Sequence, residues 1–227
     1  IGRILVFDYE NEKWELKFTD EGASASDQLG YDLSTSSDGN IIAYSTPHFD
    51  TDSASNVSKV TVYDTSGSSF TKRIELIGEI TNGRLGRHCE LSSNGDYLIL
   101  NKGSTNGITQ VLVYKWNGSD YILRDTIDGG HVGDLFGAEH NTFDISDDGN
   151  ILVVSASSTD TATALRANYS LPAPVQPSGN YGRTTIYKWS DSGQEYLKHG
   201  NNINGAIDSY SGKPIQLSRD GSTLLLG

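Results

Sequence analysis

A repeat fixes architecture before any single element is assigned, so self-similarity constrains this chain more than any other feature. Four segments share a Ser-x-Asp/Asn-Gly turn that leads into an apolar run. They are Ser36-Ser37-Asp38-Gly39 before Ile41–Tyr44, Ser92-Ser93-Asn94-Gly95 before Tyr97–Leu100, Ser146-Asp147-Asp148-Gly149 before Ile151–Val154, and Ser218-Arg219-Asp220-Gly221 before Leu224–Leu226. The turn glycines stand 56, 54 and 72 residues apart. A second series keeps step with the first: Gly2–Phe7, Ser58–Tyr63, Thr109–Tyr114 and Gly182–Tyr187 superpose without gaps, their final aromatics 56, 51 and 73 residues apart. Two independent markers in phase make coincidence untenable.

Each unit reads as four strands. The first, as in Leu29–Ser34, runs into the Asp-Gly or Asn-Gly turn, a strong hairpin signal because both positions accept positive φ. The second is the apolar run, whose unbroken hydrophobicity predicts burial on both faces. The third is the Val/Thr/Tyr-rich segment. After a polar turn the fourth follows: Trp14–Phe18, Phe70–Leu76, Tyr121–Thr126 and a ragged Tyr196–His199. About fifty residues and four antiparallel strands per unit is the mark of propeller blades, since radial closure shields the edges an open array would expose. The expected fold is therefore all-β, a β-propeller of four-stranded antiparallel blades with about four repeats. The approximate units are 1–57, 58–108, 109–181 and 182–227.

Composition agrees. Hydrophobic residues make up 35% and glycines number 25, which suits short strands and tight turns rather than a helical bundle. With 29 acidic against 17 basic residues the formal charge is −12, a surface that repels phosphate backbones and excludes nucleic acid as a partner. No run approaches a membrane span of about 18 apolar residues. The single cysteine, Cys89, is expected to be a buried structural thiol and leaves the redox compartment open. The chain starts inside one strand pattern, ends inside another and holds no Met, so a stretch of a longer polypeptide is expected.

The order of these elements resembles the FG-GAP-type repeats of integrin α-chain propellers, especially a divergent class. The best copy is Asp134-Leu135-Phe136-Gly137 with Ile145–Gly149; Asp27-Gln28-Leu29-Gly30 and Asp208–Gly212 are partial, and Gly83-Arg84-Leu85-Gly86 lacks the leading Asp. The resemblance implies about seven blades, so four units favour part of a larger ring over a closed four-bladed one. It also implies an extracellular or cell-surface, non-enzymatic propeller for adhesion, for protein or glycan binding, or for structural assembly. The calcium loop of the integrin repeats has no counterpart here. Asp38, Asp148 and Asp220 thus read as turn formers, and neither cofactor nor metal is expected.

Two connections between second and third strands break the repeat, 46–56 and about 157–181, and both belong on one face. Long loops on a compact scaffold are favoured places for binding, with tolerated insertion the equal alternative. Asp50, Asp52 and Asp160 are candidate ligand-binding residues there, with calcium the cation they would take; Arg166 and Tyr169 are candidate contacts for a protein or glycan partner, or for self-assembly. Asn56, Asn117 and Asn168 head Asn-x-Ser sequons in predicted loops, in keeping with a glycoprotein.

Enzymatic motifs are weak. The five histidines, His48, His88, His131, His140 and His199, lack metal-ligand spacing and read as surface residues, and no G-x-S-x-G elbow is present. The expectation is that the chain is not an enzyme. The alternatives are a filament or appendage subunit, and a glycan hydrolase or lyase with its site on the central axis. The hydrolase reading would be marked by clustered carboxylates, Arg and His in an axial pocket.

Overall fold

The structure, a computed structural model, describes residues 2–67, 69–103, 107–130, 132–158, 182–206 and 209–227. Among them there is no helix. The chain opens on a two-stranded sheet, β1 (Arg3–Glu10) with β2 (Lys13–Glu21). Three four-stranded antiparallel meanders follow. The first is β3 (Leu33–Thr35), β4 (Ile41–Thr46), β5 (Lys59–Asp64) and β6 (Thr71–Ile77); the second is β7 (Cys89–Leu91), β8 (Tyr97–Gly103), β9 (Thr109–Trp116) and β10 (Tyr121–Asp128). The third is β11 (Phe143–Ile145), β12 (Ile151–Ala156), β13 (Arg183–Ser190) and β14 (Glu195–Lys198), with β15 (Ile203–Asn204) pairing β13 beyond β14. A hairpin of β16 (Ile215–Leu217) and β17 (Leu224–Leu226) repeats the first half of a meander. The expected strand order thus appears in full three times, and the ragged fourth strand at 196–199 is a short one helped by β15.

Second and third strands form the core. Leu98, Ile99, Leu100, Val111, Val113 and Leu152–Val154 are fully buried because a neighbouring sheet covers each of their faces. The repeated turn closes by one hydrogen-bond circuit. The hydroxyls of Ser36, Ser92, Ser146 and Ser218 donate to Asp38, Asn94, Asp148 and Asp220 at 2.6, 2.6, 2.7 and 2.6 Å. The same hydroxyls accept the amides of Ile41, Tyr97, Ile151 and Thr223. The Ser36 hydroxyl holds the Asp38 carboxyl below its ordinary range, and the Ser218 hydroxyl brings that of Asp220 down to about 2. These carboxylates are turn formers.

The same turn joins sheets. At Gly149, with φ +66°, an added Cβ would stand 2.1 Å from Cζ of Tyr97 in the preceding sheet, whose hydroxyl donates to the Asp148 carbonyl. Cys89 is buried, as expected, and burial raises its thiol pKa well above the ordinary value.

Candidate functional site

The first strand of each sheet has only three residues and sits where successive sheets converge. Side chains near its start therefore meet across sheets. Asp32 directly precedes β3, and its amide donates to Ser45 Oγ at 3.0 Å. His88 directly precedes β7, and its amide donates to Asn101 Oδ1 at 2.8 Å. From the left-handed glycine that precedes each first strand the distance is three residues in these two sheets (Gly30 to β3, Gly86 to β7) but six from Gly137 to β11, and the extra length holds His140 and Asn141.

Three sheets thereby supply one cluster, with ligand-type atoms of Asp32, His88 and His140 all within 4.8 Å of one another. Asp32 Oδ2 accepts the Cys89 amide at 2.9 Å and lies 3.5 Å from His88 Nδ1, while Oδ1 lies 3.4 Å from His140 Nδ1. Tyr31 stacks on His140 with centroids 5.4 Å apart, and its hydroxyl accepts Arg87 Nη2 at 2.7 Å. His88 is 3% exposed, and burial lowers its pKa. It is not the surface histidine the sequence suggested.

One step further along the axis stand the middle residues of the inner strands. Glu90 of β7 and Asn141 line two adjoining cavities, one of about 450 Å³ with Asp144 and Gln216, the other of about 830 Å³ with Ser34 and Ala43. They adjoin at Glu90 and Asn141 in an axial cleft, which the second cavity extends outward between Arg3–Asp8 of β1 and Ile42–Tyr44 of β4. Burial, then the charges of Asp144 and Asp32, push the Glu90 carboxyl up to about 8. Asp144 is differently placed: Oδ1 accepts the Ile145 amide and Oδ2 that of Leu217 at 2.6 Å, which stitches β11 to β16. Antiparallel order puts the starts of inner strands and the connections between second and third strands on the same face. Contact of Ser157 Oγ with Glu139, beside His140, shows the two meeting.

Of the residues expected from sequence, Asp50 and Asp52 are exposed on that face, where Asp50 Oδ1 accepts the Asn56 amide at 2.7 Å. Among the described residues they join no third ligand. Asn117 sits in the β9–β10 turn, its Oδ1 accepting the Ser119 and Asp120 amides. Asp160, Arg166, Asn168, Tyr169 and His131 lie outside the described residues. Asp32, Glu90, His88 and His140 were missed as a set because their neighbourhood is made by the repeat. The signal was there, since Asp32 and His88 are 56 residues apart, the spacing of the turn glycines.

No protein-family model matches the chain, and no curated protein matches its sequence. Solved structures do. A proposed 6-phosphogluconolactonase of Bacteroides uniformis overlays 91% of this chain at a TM-score of 0.55 and 13% identity, and one of Bacteroides fragilis 91% at 0.53 and 13%. The fold is a β-propeller. The chain spans half the length of each of those two structures. A periplasmic gluconolactonase of Pseudomonas aeruginosa overlays more loosely, at 0.45 and 13% identity over 98% of this chain and 70% of its own. The two Bacteroides structures, both described as lactonases, run against two expectations, that of a non-enzymatic adhesion module and that the chain is not an enzyme, and favour the hydrolase alternative instead. The axial cavities are lined by the carboxyls of Glu90 and Asp144, while the imidazoles of His88 and His140 belong to the cluster with Asp32.

Proposed function

We propose that the chain carries the reaction face of a propeller hydrolase that opens a lactone of a sugar acid in the axial cleft. The observation that carries this reading is the Asp32–His88–His140 cluster, drawn from the segments that lead into the first strands of three successive sheets, with Glu90, two residues beyond His88, lining both cavities. Their dimensions are those of a small-molecule site. Lactone opening needs a water aimed at the carbonyl carbon, an acceptor for the water's proton and a donor to the departing ring oxygen. The Asp32–His88–His140 cluster orients the water and accepts its proton as the new C–O bond forms. Glu90, held protonated by its surroundings, gives a proton to the ring oxygen as the old bond breaks. The hydroxy acid leaves, and proton exchange with solvent restores both groups.

Cleavage of glycosides fits less well. It calls on two carboxyl groups free to act on either side of one bond. Both oxygens of Asp144 are already taken by backbone amides, so Glu90 lacks that partner. Beside the cluster, Arg84, Arg87 and His48 line a cavity of about 220 Å³ that suits the anionic end of a phosphorylated or carboxylated sugar. The FG-GAP-type class of the repeat is part of the same proposal, supported by the Asp134-Leu135-Phe136-Gly137 segment and the order of strands.

Hydrolysis of glucono-δ-lactone and of its 6-phosphate, followed by pH-stat, tests the reading. The protein is expected to accelerate opening of at least one of them over buffer. Glu90→Gln should lower kcat by about 100-fold or more with little change in KM. Failure to accelerate either lactone sinks the proposal.

A further inference from the structure

The Asp32–His88–His140 cluster has a geometry that hydrogen bonding does not explain. The imidazole-to-carboxylate distances of 3.5 and 3.4 Å exceed the 2.7–3.2 Å of an N–H···O bond. His88 Nδ1 is buried and has no hydrogen-bond partner among the described residues. A buried polar nitrogen without a partner is costly unless a bound group completes it. The spacing itself says what. Around a tetrahedral ion with bonds of about 2.0–2.1 Å, neighbouring ligand atoms stand about 3.3–3.5 Å apart. The measured separations, one to each oxygen of Asp32, are close to that edge length, and one ligand atom from each of the three residues lies within 4.8 Å of the others.

We propose that Asp32, His88 and His140 hold one divalent transition-metal ion of the zinc class. Two imidazoles with a single carboxylate suit zinc and its neighbours, whereas calcium and magnesium call for more oxygen ligands. Two of the three ligands are already fixed in place. Asp32 is held by the Ser45 hydroxyl and the Cys89 amide, and His88 by Asn101, while His140 is half-exposed and stacked on Tyr31. The nearby Arg87 guanidinium is engaged by the Tyr31 hydroxyl. Three protein ligands leave a fourth position for water, the arrangement of catalytic rather than structural zinc. With the ion bound, Asp32, His88 and His140 would serve as its ligands rather than as proton acceptors, and what it would supply to the hydrolase reading above is a bound water of lowered pKa. Binding itself does not depend on that reading.

Titration of chelator-stripped protein with Co²⁺ tests this. One equivalent should bind, with a visible spectrum of a four- or five-coordinate ion bearing nitrogen ligands, and Zn²⁺ should displace it while Ca²⁺ does not. His140→Ala, a change at an exposed side chain, should weaken Co²⁺ binding at least tenfold, and Asp32→Asn likewise. The double variant Asp50→Asn, Asp52→Asn should bind as the parent does. Absence of stoichiometric binding, unchanged affinity in His140→Ala, competition by Ca²⁺, or loss of binding in the double variant would each overturn the proposal. A protein inert to lactones that still binds Co²⁺ in this pattern leaves the metal site standing and removes the hydrolase reading; the reverse result removes the metal site alone.

Discussion

The ring of His140 meets that of His88 edge-on, with centroids 4.0 Å apart. The pair comes from consecutive sheets, and only at the edge where sheets converge can such residues meet. What fixes His88 is Asn101 on the adjacent strand β8, which accepts its amide proton and donates its own amide to the His88 carbonyl. Asn101 is itself buried. Asn101→Ala should leave the His88 amide unsatisfied, at a cost of about 1–3 kcal/mol read from the midpoint of urea unfolding. Because the imidazole would lose its anchor, lactone opening should fall further than stability alone explains. Full activity in a destabilised Asn101→Ala protein would show that the anchor does not matter to the site.

Glu90 should make stability depend on pH in an unusual direction. Its folded pKa of about 8 lies above the ordinary carboxyl value of 4.5. Between those values the unfolded chain has released the proton that the folded protein keeps, so stability falls as pH rises. The total loss should be on the order of a few kcal/mol, complete above about pH 8. Urea unfolding of chelator-treated protein at pH 5, 7 and 9 measures it, and Glu90→Gln should flatten the slope. An unchanged slope in that variant would place the titration elsewhere.

Two glycines of the repeated turn separate the cost of backbone conformation from that of packing. Gly39 and Gly149 share a left-handed φ, +74° and +66°, but a Cβ on Gly39 would meet nothing within 4 Å. On Gly149 it would overlap the Tyr97 ring. Gly39→Ala should therefore cost only the conformational term, about 1 kcal/mol. Gly149→Ala should cost that plus the displacement of Tyr97, about 2–4 kcal/mol in all. Equal midpoints for the two variants would mean that this contact between sheets contributes nothing.

Repetition made most of the fold legible. The serine of each turn, the glycine after Asp or Asn, and the apolar run beyond them have local causes, so their strands could be placed from sequence. The short first strands could be located but not their contents interpreted. Asp32 and His88 look like ordinary polar residues beside a turn, and His140 sits in an irregular extension of the third unit. Their meeting depends on how three sheets converge, which no local pattern encodes. The cluster is hidden from sequence for the same reason: its residues form no contiguous motif and lie in no long loop, and only Asp32 and His88 keep the spacing of the repeat. Resemblance in the order of elements spoke to the fold and carried adhesion along with it.

Arg124 offers the clearest test of how successive sheets are latched. It leaves β10 and lays its guanidinium over the Trp189 ring of the next sheet at 3.7 Å, donating to the Gly149 carbonyl at 2.8 Å and the Tyr196 hydroxyl at 3.0 Å. One sheet earlier, Arg73 of β6 lies over Trp116 at 4.3 Å, and the Tyr121 hydroxyl donates to the Gly95 carbonyl as Tyr196 does to that of Gly149. The Trp-bearing hairpin is thus a receptor for the arginine of the preceding sheet. Arg124→Ala removes a stacked cation and two charge-assisted hydrogen bonds, so about 2–3 kcal/mol should be lost. Lysine keeps the charge without the planar fork and should recover less than half of that. In a double-mutant cycle with Trp189→Leu, the coupling should be about 1 kcal/mol. Full rescue by lysine, or a coupling of zero, would mean that the arginine contributes its charge alone and the tryptophan is only apolar cover.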